Sequence, residues 1–377
     1  MGKQYMRILS IRKHKTITFI NGYNDALGNI QCMIDNDLIT KINCGDLIEC
    51  NIMDDFNRKG QKIKRIVSVD KIISGYDFQS YKGLNNESIS DREKDYLNAR
   101  NCGSQLIILK YKKEILKYIR DILDSLNYFD ATGLLNTVEY YSNGGNISDA
   151  IIHDRSDKEP KYLRITLENQ LKQMTAVILR STYAIEKVFR NMGEDKSHIN
   201  EFLMLEMVSI EENITQMINF VKELDRVSKE LAETYKINIP QKDLQIVDYT
   251  EIPSNRFETF RKSFINTLVT NYPCESPFIL KDENGMRKEI RWYINGHWIS
   301  HFYRDENNYN NIKEILLSQQ KQKENINPMS YIEFGLPSTV SLGLSIDRWL
   351  QMLLDINNIN SIANPIALDY PKTMRLK

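Results

Sequence analysis

The sequence of 377 residues has no long apolar run, no net charge at pH 7 and no two cysteines in a CxxC spacing. A transmembrane helix needs a run of about 18 apolar residues, so we predict that the chain does not span a membrane. Zero net charge leaves no overall field that attracts nucleic acid, although a local basic patch could still bind a polyanion. The five cysteines are odd in number, which favours reduced thiols and a cytoplasmic location.

Residues 5–75 consist of short segments rich in β-branched and aromatic residues, such as TITFING and LIECNIM. Turn-forming pairs such as Asn21-Gly22 separate them. Five short strands in so few residues are typical of a small closed barrel, of which the OB-fold is the common case. We predict an OB-fold domain over residues 1–79, a polar linker over 80–95 and a second domain over 96–377.

The second domain has longer elements. Residues 106–126 and 213–235 space their apolar residues at helical intervals, whereas 288–303 and 331–345 resemble antiparallel strands. A short helix over 346–356 follows. Strands and helices that occur in blocks predict an α+β fold, with an antiparallel sheet flanked by helices.

Seven segments of the chain occur together, and in the same order, in one known family. They are GNIQ, SDREKDYLNARN, YLRITLENQLKQM, VFRN followed by H..EF.MLE, LVTNYPCESPF, WYINGHWI, and FGLPSTVSLGLSIDRWLQMLL. Over nearly its whole length the chain thereby resembles class II aminoacyl-tRNA synthetases of the lysyl/aspartyl/asparaginyl subgroup, and most closely the lysyl-tRNA synthetases.

The resemblance implies a ligase that activates an amino acid, or a related carboxylate, with ATP as an acyl-adenylate. The acyl group then passes to tRNA or to another acceptor. The resemblance also implies a homodimer, although Leu134 stands where the subunit-pairing motif of the family ends in proline.

Four residues match the family's nucleotide site. Arg190 matches the arginine at the α-phosphate, where a planar guanidinium suits phosphoryl oxygens. Arg348 matches a second arginine that lies against the nucleotide. His198 matches a loop histidine, and Phe202 matches the ring that stacks on adenine. The alternative is structural: arginines in surface ion pairs and a phenylalanine in the core.

A further set of residues matches the amino-acid pocket of the family. Glu168 corresponds to the carboxylate that binds the α-amino group, and Glu206 to one that meets the lysine ammonium. The remaining pocket positions are His301, Tyr303, Asp305 and Gly343. A buried carboxylate without a cationic partner is costly, so burial of these glutamates would be informative. The alternative is an exposed glutamate on a strand.

Among the departures from the family pattern, three concern adenine and magnesium. Met192 replaces a glutamate that contacts adenine. Arg291 and Trp298 replace two glutamates that hold magnesium, and neither side chain can ligate a hard cation. Two hypotheses therefore stay open for Arg291: either the metal site is lost, or its guanidinium supplies the missing charge as a catalytic group. A requirement for Mg²⁺ is accordingly uncertain.

In the predicted barrel, Phe19 and Gln31 match residues that stack on and hydrogen-bond a tRNA base. An aromatic ring beside basic residues suits single-stranded recognition; the alternative for Phe19 is a place in the barrel core. The sequence thus supports two hypotheses on function: an ATP-dependent ligase, or a degenerate synthetase paralogue that binds tRNA or another RNA.

Overall fold

The structure, a computed structural model, describes eleven segments of the chain: residues 4–25, 28–39, 41–57, 59–74, 104–139, 151–152, 161–191, 193–210, 214–239, 243–312 and 335–363. The chain divides into two compact units, Met1–Leu106 with Ile366–Lys377, and Ile107–Pro365. The predicted linker at 80–95 lies outside the described residues, so the domain bounds 1–79 and 96–377 stay predictions.

The first unit contains a closed barrel of five strands. They are β1 (Gln4–Lys13), β2 (Ile17–Asn24), β3 (Gly28–Asp35), β4 (Leu47–Phe56) and β5 (Lys62–Ile73). The hydrogen-bonded order is β1-β2-β3-β5-β4, and β4 closes onto β1. Side chains at alternate positions, such as Met6, Ile8 and Ile20, fill the interior. The predicted OB-like barrel is confirmed.

The other helices and strands are α1 (Ser104–Ser125), β6 (Phe129–Asp130), β7 (Val138–Glu139), β8 (Ile151–Ile152), β9 (Lys161–Leu163), α2 (Glu168–Ile178), β10 (Thr182–Phe189), β11 (Glu201–Ser209), α3 (Ile214–Thr234), β12 (Gln245–Asp248), β13 (Asn266–Pro273), β14 (Lys288–Ile294), β15 (His297–Arg304), β16 (Val340–Ser345) and α4 (Ile346–Leu353). Short helical segments lie at Tyr249–Glu251, Ser254–Arg256, Phe257–Phe260, Arg261–Ser263 and Asn360–Ala363.

An eight-stranded sheet forms the centre of the second unit. Its order is β12-β13-β14-β15-β16-β11-β10-β6, and the six inner strands pair antiparallel. The outer strands β12 and β6 pair parallel with their neighbours. A separate sheet has the order β7-β9-β8. The predicted α+β architecture with an antiparallel sheet and flanking helices is confirmed.

The two-residue repeat of the strands directs alternate side chains to opposite faces of this sheet. On β15, Phe302 belongs to the main core with residues of α1, α3 and α4, and its neighbours His301 and Tyr303 point to the opposite face. None of the described helices is long and apolar enough to cross a membrane. The face opposite these three helices is the one that carries the candidate site.

Candidate functional site

The face of the large sheet opposite α1, α3 and α4 carries a cavity of about 430 Å³. Strand pairing places Gly343 of β16 directly between Glu206 of β11 and His301 of β15. A Cβ atom at Gly343 would lie 3.4 Å from His301 Nε2 and 3.6 Å from Met204 Cε, so a side chain there would fill the floor. Glycine at this position keeps the floor of the cavity open to a ligand.

Arg190 and Arg348 both line this cavity. Arg190 directly follows β10; its Nε donates to the carbonyl of Ile165 at 3.0 Å, and its guanidinium lies 5.4 Å from the Phe202 ring centroid. Arg348 lies in the first turn of α4, and its guanidinium donates to the carbonyl of Ser197 at 3.3 Å.

Burial lowers the pKa of both guanidinium groups, and the charge of Arg190 adds to this effect at Arg348. Within the described part of the chain, their hydrogen bonds go to backbone carbonyl oxygens, not to carboxylates. Two guanidinium groups held together in this way favour an anionic ligand that neutralises both.

His198 lies on the loop between β10 and β11 and lines the same cavity. Its Nδ1 is 2.9 Å from the Asp195 carboxylate, which also accepts the backbone N–H groups of Ser197 and His198. These hydrogen bonds, the one from Ser197 first, hold the pKa of Asp195 well below its usual range. Gln351 of α4 donates to the carbonyl of Lys196 and fixes the loop beside the helix.

Phe202, the predicted adenine-stacking ring, is the second residue of β11 and lines the cavity. Met192, which stands where the family has a glutamate, lies outside the described residues. The four predicted nucleotide-site residues therefore meet at one cavity. Their roles toward a nucleotide stay predictions.

A smaller hollow of about 210 Å³ adjoins the cavity and shares Arg190, Met204, His301 and Gly343 with it. Glu168, Glu206 and Tyr303 also line it. The carboxylates of Glu168 and Glu206 thus line the same hollow as the guanidinium of Arg190. This is the charge pattern that suits the ammonium and carboxylate groups of an amino acid.

Glu206 of β11 is 5% exposed. Its carboxylate accepts hydrogen bonds from Thr166 Oγ1 at 2.8 and 2.9 Å and from the backbone N–H of Leu167 at 3.0 Å. Burial, followed by the charge of Glu168, raises the pKa of Glu206 to about 7. A ligand ammonium next to it would favour the ionised form.

Lys172, which the sequence analysis did not identify, links two of the predicted pocket residues. It follows Glu168 by one turn of α2; its ammonium contacts Glu168 Oε1 and lies 2.7 Å from Asp305 Oδ1. The Asp305 side chain is 0% exposed and also accepts from the hydroxyls of Thr339 and Ser341, both at 2.7 Å. The structure therefore does not bring Asp305 to the hollow, where we predicted it to contact a substrate.

Glu168 remains partly accessible, with 27% of its side chain exposed. The Tyr303 hydroxyl donates to its Oε1 at 2.7 Å. Burial tends to raise the pKa of Glu168, but the charge of Lys172 and the hydrogen bonds outweigh burial, so the net shift of this pKa is downward. Glu168 is therefore ionised at neutral pH.

Arg291 does not line the cavity. Its guanidinium lies between two aromatic rings, 3.7 Å from the centroid of Tyr272 and 4.2 Å from that of Trp298. Its Nε donates to Glu289 Oε1 at 2.6 Å. The other Glu289 oxygen lies 2.9 Å from His301 Nδ1, so one buried carboxylate holds both residues.

These residues do not fit a magnesium site. Magnesium prefers oxygen ligands, whereas the two positions that the resemblance assigns to it carry a guanidinium and an indole. The nearby carboxylate, Glu289, is 2% exposed and already pairs with Arg291 and His301. Across the described residues, no group of three or more His, Cys, Asp and Glu side chains could hold a metal ion.

In the barrel, Phe19 and Gln31 line a shallow hollow together with Lys62 and Lys64. The Arg12 guanidinium lies 5.3 Å from the Phe19 ring centroid. Phe19 is half-buried and does not belong to the barrel core, so the structure favours the surface interpretation of this ring.

Comparison with known proteins gives an independent result. The chain matches the family model of tRNA synthetases class II (D, K and N) over residues 88–369.

Several curated proteins similar to the chain bear the name lysine–tRNA ligase. The one from Listeria innocua is 26% identical over 67% of this chain and 62% of its own length. Those from Malacoplasma penetrans and Thermoanaerobacter pseudethanolicus are 24% and 23% identical, over 85% and 94% of this chain and 78% and 84% of their own lengths. The match thus spans less than two thirds of the Listeria protein.

Proposed function

The chain belongs to the class II tRNA synthetases (D, K and N), and from this premise we propose that it activates an amino acid, or a related small carboxylate, with ATP. In the proposed reaction a carboxylate oxygen attacks the α-phosphorus and the bond to the β-phosphate breaks. Pyrophosphate leaves, and an acyl-adenylate remains. A hydroxyl of tRNA, or another acceptor, then attacks the acyl carbon and releases AMP.

The observation that carries this proposal is the junction of the two hollows at Arg190. The larger hollow presents Arg348, His198 and Phe202, and the smaller one presents Glu168. A substrate carboxylate in the smaller hollow and a nucleotide phosphate in the larger one could both bind Arg190, which would hold the two groups close together. Positioning of this kind and stabilisation of phosphate charge supply most of the catalysis in such a reaction.

Each residue has a proposed role in this geometry. Arg190 and Arg348 bind the phosphate and nucleotide, and Phe202 stacks on the base. Glu168 and Glu206 bind the ammonium group. His301, Tyr303 and Gly343 shape the substrate hollow, and Asp305 acts through Lys172 without touching the substrate.

A second candidate function is a synthetase paralogue that binds RNA without adenylation. The arrangement of Arg291 favours it, because this guanidinium stacks between Tyr272 and Trp298 and pairs with Glu289, which turns its charge away from a ligand. In that case Phe19 and Gln31 would still contact a single-stranded RNA base. A homodimer and a cytoplasmic location stay predictions under either function.

Amino-acid-dependent exchange of pyrophosphate into ATP tests the proposal. Each amino acid is supplied in turn to the full chain, with magnesium and with a chelator. Exchange with any of them supports the ligase. If no amino acid promotes exchange and ATP does not bind, adenylation is ruled out and the RNA-binding paralogue is favoured.

A further inference from the structure

We infer that the cavity binds its nucleotide without a divalent cation, and that it recognises one phosphate group instead of a metal-bridged triphosphate. This inference rests on the nucleotide part of the proposed function. It goes beyond that function by naming the form of nucleotide that the site prefers: a nucleoside monophosphate.

Arg291 is the residue whose charge could replace that of a metal. Its guanidinium carbon lies 3.7 Å from the ring centroid of Tyr272 and 4.2 Å from that of Trp298, and 18% of the side chain is exposed. Two nitrogens of the guanidinium pair with Glu289 Oε1: Nε lies 2.6 Å from this oxygen and a terminal nitrogen lies 2.5 Å from it. A guanidinium stacked and paired in this way has its charge neutralised within the protein. It does not supply charge to a phosphate chain.

Glu289 is a carboxylate that pairs with Arg291, one of the two residues at the family's metal-binding positions. Its two oxygens pair with different groups, one with Arg291 and the other with His301 Nδ1. Its side chain is 2% exposed. To ligate a cation, it would have to release both partners and leave a buried guanidinium unpaired, which is costly.

Among the described residues, two guanidinium groups line the cavity without a carboxylate as hydrogen-bond partner. Arg190 and Arg348 line the cavity and hydrogen-bond to backbone carbonyl oxygens, so both can meet an anion. Trp298 lies on the side of the cavity where the metal glutamate would stand, and its ring is apolar there. Two guanidinium charges match the two negative charges of a phosphate monoester. They do not match a triphosphate, whose extra charge a metal ion usually neutralises.

Binding of AMP and of ATP to the full chain tests this inference, each measured with excess magnesium and with a chelator. Trp298 lines the cavity, so tryptophan fluorescence can report the binding. We expect AMP affinity to differ by less than about twofold between the two conditions, and ATP to bind no more tightly than AMP, because no metal contact is gained. An ATP affinity that rises about tenfold or more with magnesium would overturn the inference.

The double variant Arg291→Glu and Trp298→Glu restores the two carboxylates and should make ATP binding dependent on magnesium. Arg304→Glu, an exposed change on the same strand, is the matched control and should not. If the double variant does not fold, the wild-type titrations still decide the question.

The outcomes separate this inference from the proposed function. Binding of AMP with neither pyrophosphate exchange nor binding of ATP leaves the inference standing and removes the ligase. Exchange that requires magnesium leaves the ligase standing and removes the inference. Failure of every nucleotide to bind removes both.

Discussion

Replacement of Glu206 by glutamine should remove a pH-dependent loss of stability from the second unit. The Glu206 carboxylate is buried beside Glu168, and its pKa is raised to about 7. Since the folded protein holds this proton more tightly than the unfolded chain, the contribution of Glu206 to stability is fully present below about pH 4.5. It is lost as the pH rises to 7 and above. Glutamine has no proton to lose and keeps the shape of the side chain.

The size of the effect follows from the two pKa values. A rise from the ordinary glutamate value of 4.5 to about 7 corresponds to about 3 kcal/mol of unfolding free energy. Wild type and Glu206→Gln should therefore have similar stability at pH 4.5. At pH 8 the wild type should be the less stable by up to about 3 kcal/mol.

Urea unfolding followed by tryptophan fluorescence measures this difference directly. The three tryptophans, Trp292, Trp298 and Trp349, all lie in the second unit, so the signal reports on that unit alone. Glu201→Gln, at an exposed position on the same strand, controls for loss of a carboxylate. If the difference in unfolding free energy between wild type and Glu206→Gln stays constant from pH 4.5 to pH 8, the reasoning is refuted.

Two further predictions concern other parts of the chain. Lys172→Met leaves the buried Asp305 carboxylate without its cation and should lower the unfolding free energy by about 3–5 kcal/mol. Urea unfolding measures this loss, and the double variant with Asp305→Asn should recover most of it; no recovery would contradict the pairing. Phe19→Ala should weaken binding of single-stranded RNA by about 1–3 kcal/mol in a filter-binding assay and leave the circular dichroism of the barrel unchanged. Unchanged RNA affinity would show that this ring does not stack on a base.

Much of the fold could be predicted from the sequence because it depends on local patterns. The segment around Trp292 and Phe302 resembled antiparallel strands in the sequence, and the segments over 106–126 and 213–235 resembled helices. The quoted motifs placed Arg190 and Arg348 in one site. These two residues are distant in the chain, and only the family resemblance linked them before the structure was known.

The partners of the charged residues could not be predicted, because they depend on register and burial. Lys172 was not singled out in the sequence, where its spacing of four from Glu168 is the signal that could have indicated an ion pair. Contact between Arg291 and Tyr272 depends on an irregular register between β13 and β14. The burial of Asp305 depends on Lys172 and two hydroxyl groups from other elements.

The central claim is that Arg190 and Arg348 bind one nucleotide from the same cavity. Titration of AMP and ATP into Arg190→Ala and Arg348→Ala tests it most directly, with the exposed Arg180→Ala as control. We predict that each cavity variant loses affinity by about tenfold or more, since each removes a hydrogen bond to a charged group. Wild-type affinity in both variants would contradict the account.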